Sequence, residues 1–161
     1  MRRFPLEPLS RVRELRLDAA QRLVAERRAE LVQAEQRREQ ARQARSDVVD
    51  KRRRHQQACE AAMNAADALI ADWFERAERH RAWIDNEIVR NDAFVASAEL
   101  EVVKAQQRLD EEILVLHRLR AKFDALQTFR GEWQRGQQRE QERRDERDGE
   151  ELYRLPAPLT R

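Results

Sequence analysis

Residues 88–123 read IVRNDAFVASAELEVVKAQQRLDEEILVLHRLRAKF. Within this stretch Ile88, Val95, Val102, Leu109, Leu116 and Phe123 stand seven residues apart. A second series three positions on runs through Ala98, Ala105, Glu112, Leu119, Leu126 and Trp133. The two together give the alternating three-four spacing of a coiled-coil seam, which keeps one helix face against a partner helix. Ile113 continues the apolar face where Glu112 interrupts it.

Outward from this core the helical signal persists. Between Leu9 and Arg130 there is neither proline nor glycine, and chains built from several short elements rarely avoid both breakers for so long. Pro8 suits the first turn of a helix, whose N–H groups have no partner to lose. Gly149 and Leu155-Pro156-Ala157-Pro158 suit a stop and a loose tail. The first half carries a thinner seam: Leu17, Val24 and Leu31, with Ala20, Arg27 and Ala34 beside them, pass into Arg38, Arg45 and Arg52 with Ala41 and Val48. It recovers through Cys59, Ala62, Ala66, Leu69 and Trp73.

The spacing predicts an all-α fold, a long antiparallel two-helix coiled-coil hairpin, forming a single elongated domain over residues 1–161. Helix 1 is expected over about 7–88, helix 2 over about 92–148, and a flexible tail over 149–161. The bend is expected in the polar stretch from Asp85-Asn86 to Asn91-Asp92, where an asparagine can end one helix and an aspartate cap the next. Asn64 is the second candidate, and equal arms would put the bend near residue 78.

Composition agrees. Charged residues make up 40% of the 161, aromatics only 6%, and alanine supplies 23 of the residues counted as hydrophobic. These side chains are too few and too small for a thick globular core. Thirty-three basic residues against 31 acidic ones leave a net charge of +2, well short of the positive excess of a dedicated nucleic-acid binder. Residues 1–54 nevertheless carry +7 and the remainder −5. Lys51-Arg52-Arg53-Arg54 reads as a solvated face beside Asp47 and Asp50, or as a contact for an acidic protein surface. The sole cysteine, Cys59, excludes an internal disulfide. No apolar run approaches the roughly 20 residues of a membrane span, and the N-terminus has no signal-peptide pattern. A cytoplasmic protein without direct membrane insertion is expected.

Catalytic constellations are missing from the sequence, so an enzyme, a cofactor and a metal are not expected. His55, His80 and His117 are far apart along the chain. His55 and Cys59 stand one turn apart, but two ligands fall short of a zinc site. Among the aromatics, Trp73, Phe123 and Trp133 fall on the seam. Phe74 and Phe129 must point elsewhere; exposed rings on a thin hairpin are natural anchors for a partner, and Phe74, Trp83 and Phe129 are the candidates.

The opening Phe4-Pro5-Leu6-Glu7-Pro8-Leu9-Ser10-Arg11-Val12-Arg13-Glu14-Leu15-Arg16 resembles the N-terminus of the FliJ/YscO family of type III secretion and flagellar export stalk proteins. Lys122-Phe123-Asp124-Ala125-Leu126, with the charged run after it, is similar to that family's C-terminal arm. The resemblance implies a cytoplasmic stalk, peripheral to the inner-membrane export apparatus, that joins the export ATPase hexamer to the export gate protein and is a monomer when free. Export chaperones are further partners it implies. The ATPase end would comprise Leu6, Leu9, Val12, Arg13, Leu15, Arg16, Phe129 and Trp133. The hairpin tip, with Phe74 and Trp83, would face the gate. A homodimeric coiled-coil scaffold or tether without an ATPase partner is the alternative.

Overall fold

The structure, a computed structural model, describes residues 3–65 and 71–154, with side chains described as far as residue 150. Two helices account for it: α1, Glu7–Ala65, and α2, Ala71–Arg154. They pack against each other as a helical hairpin, with no strand among the described residues. The packing divides into two compact units. One joins Met1–Leu23 with Ile113–Arg161, and the other is Val24–Glu112.

In the first unit, here the terminal unit, α1 starts through a tight turn. Glu7 N donates to Phe4 O at 3.2 Å and Ser10 N to Leu6 O at 2.9 Å. Pro8 lies in this opening turn, where its missing N–H costs no hydrogen bond. Phe4, Ser10, Ala20 and Leu126 are buried. Glu7 meets Arg130 and Ser10 meets Gln127. Three residues forward on α1 match three back on α2, so the pair is antiparallel. Past Trp133, α2 continues to Arg154, and its side chains are mostly exposed as far as residue 150. Bonds one turn apart line that segment, including Gln138–Glu142, Gln141–Asp145 and Arg144–Glu140.

In the second unit, here the ionic unit, Val24, Ala34, Ile84, Ala105 and Leu109 are buried, Ile84 completely. Here the seam that thins on α1 is completed by charge. Arg45 pairs with Asp92 and Arg52 with Asp85, again one heptad forward against one heptad back. Arg42 meets Glu99 at 2.7 Å and Lys51 meets Glu87 at 3.5 Å on the flanks.

These pairs explain where the expected bend fails. α2 runs unbroken through residues 85–92, so helix 1 does not extend to 88 and helix 2 does not begin at 92. Asp85 and Asp92 are neither caps nor breaks, because their carboxylates face α1 arginines. Asn91 donates to Glu87 O at 2.8 Å within the same helix. α1 ends at Ala65, one residue after Asn64, and α2 begins at Ala71; residues 66–70 lie outside the described residues. Equal arms fail as well: α1 has 59 residues and α2 has 84. At the other end the helix passes Gly149 to Arg154. One glycine costs a helix only about 1 kcal/mol, too little to end one laced with one-turn pairs. The rest of the expected tail, 155–161, lies outside the described residues.

Candidate functional site

Two surfaces gather the side chains that the sequence singles out, and each lies within one unit. In the terminal unit, Phe4 is the organising residue. Its ring lies tilted against Phe129 at 6.0 Å between centroids and edge-on to Trp133 at 5.6 Å. The Arg130 guanidinium sits 6.0 Å above the same ring and reaches Glu7 at 3.3 Å. Aromatic pairs of this geometry add about 0.5–1.5 kcal/mol each beyond area burial. The Pro5-to-Glu7 turn brings Phe4 back onto α2 and closes the helix pair as a clasp.

The clasp sorts the eight residues expected at this end. Leu6 and Arg13 are half-buried, and Arg13 donates to the Lys122 carbonyl on α2 at 2.5 Å. Trp133 is half-buried under Phe4, while Phe129 touches Phe4 and still exposes 47% of its surface. Leu9, Val12, Leu15 and Arg16 are exposed. Leu9, Val12 and Arg16 follow the i, i+3, i+7 spacing, so they share one outward stripe of α1. An open groove of about 1230 Å³ lies beside Phe4 and Trp133, rimmed by Arg3, Arg11 and Arg144. Phe4 is the residue that sequence reading misses as core. Its signal is an aromatic placed just before a Pro-rich helix start, where the chain can fold back on its own helix.

In the ionic unit a column of rings crosses from α1 to α2. Lys51 Nζ lies 3.9 Å from the centre of the Trp83 ring, Trp83 stacks on His80 at 5.7 Å, and His80 meets His55 edge-on at 4.7 Å. His55 Nε2 is 3.1 Å from the Ala77 carbonyl. A carbonyl only accepts, so Nε2 is the donor in this contact; Cys59 Sγ lies 3.6 Å from Nε2 and 3.9 Å from Nδ1 of the same ring. His55 and His80, distant in sequence, are therefore neighbours. No group of three or more His, Cys, Asp or Glu among the described residues is placed to hold a metal ion. A groove of about 410 Å³ opens beside this column, lined in part by Cys59, Met63, Trp73 and Phe74. Trp73 is half-buried while Phe74 and Trp83 are each 45% exposed, the division that helical spacing predicts.

Charge elsewhere in the ionic unit is local. The Glu101 carboxyl is held below the usual carboxylate range, chiefly by its hydrogen bond from Lys104 at 2.9 Å. Arg27 is held above its usual range, chiefly by its hydrogen bonds to Glu30. No helix among the described residues is long and apolar enough to cross a membrane.

The fold has a close counterpart among solved structures. A protein from Chlamydia trachomatis, CT670, described as a YscO homologue, superposes with a TM-score of 0.82 over 96% of this chain and 94% of its own, at 19% identity. At that identity the likeness carries the fold alone. No curated protein matches the chain. A family model described as "YscO-like protein" matches residues 1–155. The heptads, the fold-back and nearly the whole length thus fall under one pattern: the chain belongs to the YscO-like family.

Proposed function

We propose that this protein is a non-enzymatic stalk of a bacterial type III secretion or flagellar export apparatus, binding the export ATPase ring and coupling it to the export gate. Family membership supports a place in type III secretion, and the likeness to FliJ proteins belongs to the same reading. The observation that carries the stalk assignment is the terminal clasp. Phe4, Phe129, Trp133 and the Glu7–Arg130 pair hold the start of α1 onto α2, while Leu9, Val12 and Arg16 remain outward. A clasped helix start beside an apolar and cationic stripe suits insertion into a protein ring. Phe74 and Trp83 are assigned to the gate, and export chaperones are partners on the same reading. The place of action is the cytoplasmic face of the export apparatus.

The test is titration of the full chain into the cognate export ATPase, following hexamer assembly and ATP turnover. Turnover should rise and saturate near one chain per ring. Val12→Asp with Arg16→Glu should weaken that response while leaving helicity intact, since both side chains are exposed. Arg13 is a poorer probe, because it also contacts Lys122. A competent ATPase that neither binds nor responds would remove the stalk assignment and leave the family membership standing.

A further inference from the structure

The ion pairs of the ionic unit fix its register only to within a heptad. On α1, Arg38, Arg45 and Arg52 stand seven residues apart, and on α2 so do Glu78, Asp85, Asp92 and Glu99. Arg45 pairs with Asp92 and Arg52 with Asp85. The ends of both series are left over. Arg38 is half-buried, and its Nε has no hydrogen-bond partner among the described residues. Glu99, level with Arg38, is taken by Arg42, and Glu78 pairs within its own helix, with Arg81 at 3.1 Å. A slide of α2 by one heptad toward its own C-terminus sets Arg38 against Asp92, Arg45 against Asp85 and Arg52 against Glu78. Two rungs become three, and a buried nitrogen without a partner, a costly state, gains a carboxylate. The opposite slide sets Arg38 against Gln106 and keeps two rungs.

The apolar seam permits the same slide. Ile88, Val95 and Val102 recur every seven residues, so a move of one full heptad keeps each of them facing α1. Ala34, Ala41 and Val48 on α1 are also seven apart and small, so no bulky side chain keys one layer against the next. The terminal unit has no such repeat. Seven residues before Trp133, Arg130 and Gln127 stand Leu126, Phe123 and Arg120. A one-heptad slide there takes Trp133 from Phe4, and sets Glu7 against Phe123 and Ser10 against Arg120.

We propose that α1 and α2 have a second register, one heptad along, and that the Phe4 clasp is the latch that holds the present one. α2 is one helix from Ala71 to Arg154, so it slides as a rod, by about 10.5 Å. The six Cα–Cα steps from Ala65 to Ala71 reach up to about 20 Å, enough to join helix axes roughly 10 Å apart at that offset. The slide gives up the clasp, the Lys51–Glu87 pair and the ring column from Lys51 to His55. The second register is therefore the minor one while the clasp is closed, exchanging on the μs–ms scale of helix register shifts. The inference rests on no assignment of a partner, and its failure leaves the stalk reading untouched.

Cysteine pairs in the full chain, in a Cys59→Ser background, read the register with a thiol cross-linker much shorter than one heptad. Ala41→Cys with Val95→Cys reports the present register, Ala41→Cys with Ile88→Cys the second, and Ala41→Cys with Val102→Cys the opposite slide. The Val95 pair should link fast and the Ile88 pair slowly. Adding Phe4→Ala should speed the Ile88 pair about 30-fold, because the clasp stabilises only the present register. Helicity by circular dichroism should hold, and the Val102 pair should stay slow. Glu78→Gln should undo much of the gain by removing the third rung, without slowing the Val95 pair. An Ile88 pair that Phe4→Ala leaves slow would overturn the proposal. So would one that speeds only in step with the Val102 pair, since equal gains mean a helix pair that merely opens.

Discussion

Around Leu126 the two helices meet through rings and aliphatic side chains, whereas around Asp92 they meet through arginines and carboxylates. The terminal unit buries Phe4 and Leu126 and stacks Phe4 against Phe129 and Trp133. The ionic unit buries Val24, Ala34, Ile84, Ala105 and Leu109 but no ring, and adds four cross-helix ion pairs that stay part-exposed. Exposed pairs contribute about 0–1 kcal/mol each and are screened by salt. Burial of a large apolar side chain contributes about 1.5–3 kcal/mol and is not screened. The difference teaches that one helix pairing can be held by either chemistry, but the ionic version leans on a few apolar contacts. In that unit the charges set the register more than they set the stability.

The sharpest way to break the contrast is Ile84→Ala. This is the one completely buried large side chain among the described residues, so its loss should cost about 3 kcal/mol. In urea melts followed by amide exchange, residues 24–112 should lose protection first. Phe4→Ala comes next, at about 2–3 kcal/mol, lower than a deep-core phenylalanine because the ring sits at the helix entry. Its protection loss should fall on residues 4–23 and 113–133, and Trp133 fluorescence should report the opened clasp. Arg45→Gln with Arg52→Gln should cost about 1 kcal/mol in low salt and much less in 1 M salt. Exchanging the charges, Arg45→Asp with Asp92→Arg, should recover most of the loss at that pair. A cost for Arg45→Gln and Arg52→Gln that ignored salt would mean that their aliphatic stems, and not their charges, hold the seam. Gly136→Ala should stabilise by about 0.5–1 kcal/mol, because nothing lies within 4 Å of the added methyl. The smallest effect concerns acid. Glu101 has a carboxyl held below its ordinary range by Lys104, so its contribution is present above the ordinary glutamate value, about 4.3, and is lost as pH falls through the depressed one. Glu101→Gln should remove that small part of the acid limb in a thermal-melt series.

The helical hairpin was readable because heptads over 88–123 and the absence of breakers after Leu9 both depend on one strand of sequence. The start at Glu7 was readable for the same reason, since a proline in a first turn is a local signal. The bend was not, because an aspartate that caps a helix and an aspartate that answers an arginine on another helix are the same letter. Only the matching repeats, Arg45 and Arg52 against Asp85 and Asp92, tell them apart, and they must be compared in reverse order. The exposure of Phe74 and Phe129 followed from period alone. The His55–His80 contact did not, because it depends on where the chain turns back. Phe4 was hidden for a related reason: its burial comes from residues on α2 more than 120 positions away.

The segment of α2 beyond Trp133 has a thermodynamic consequence of its own. Its one-turn bonds, from Gln138–Glu142 to Arg144–Glu140, each favour the helical backbone by about 0.2–0.5 kcal/mol before anything touches it. A partner that binds this segment meets a helix already formed. It is spared the roughly 1–2 kcal/mol per residue needed to fix a coil, so even modest contacts convert into affinity.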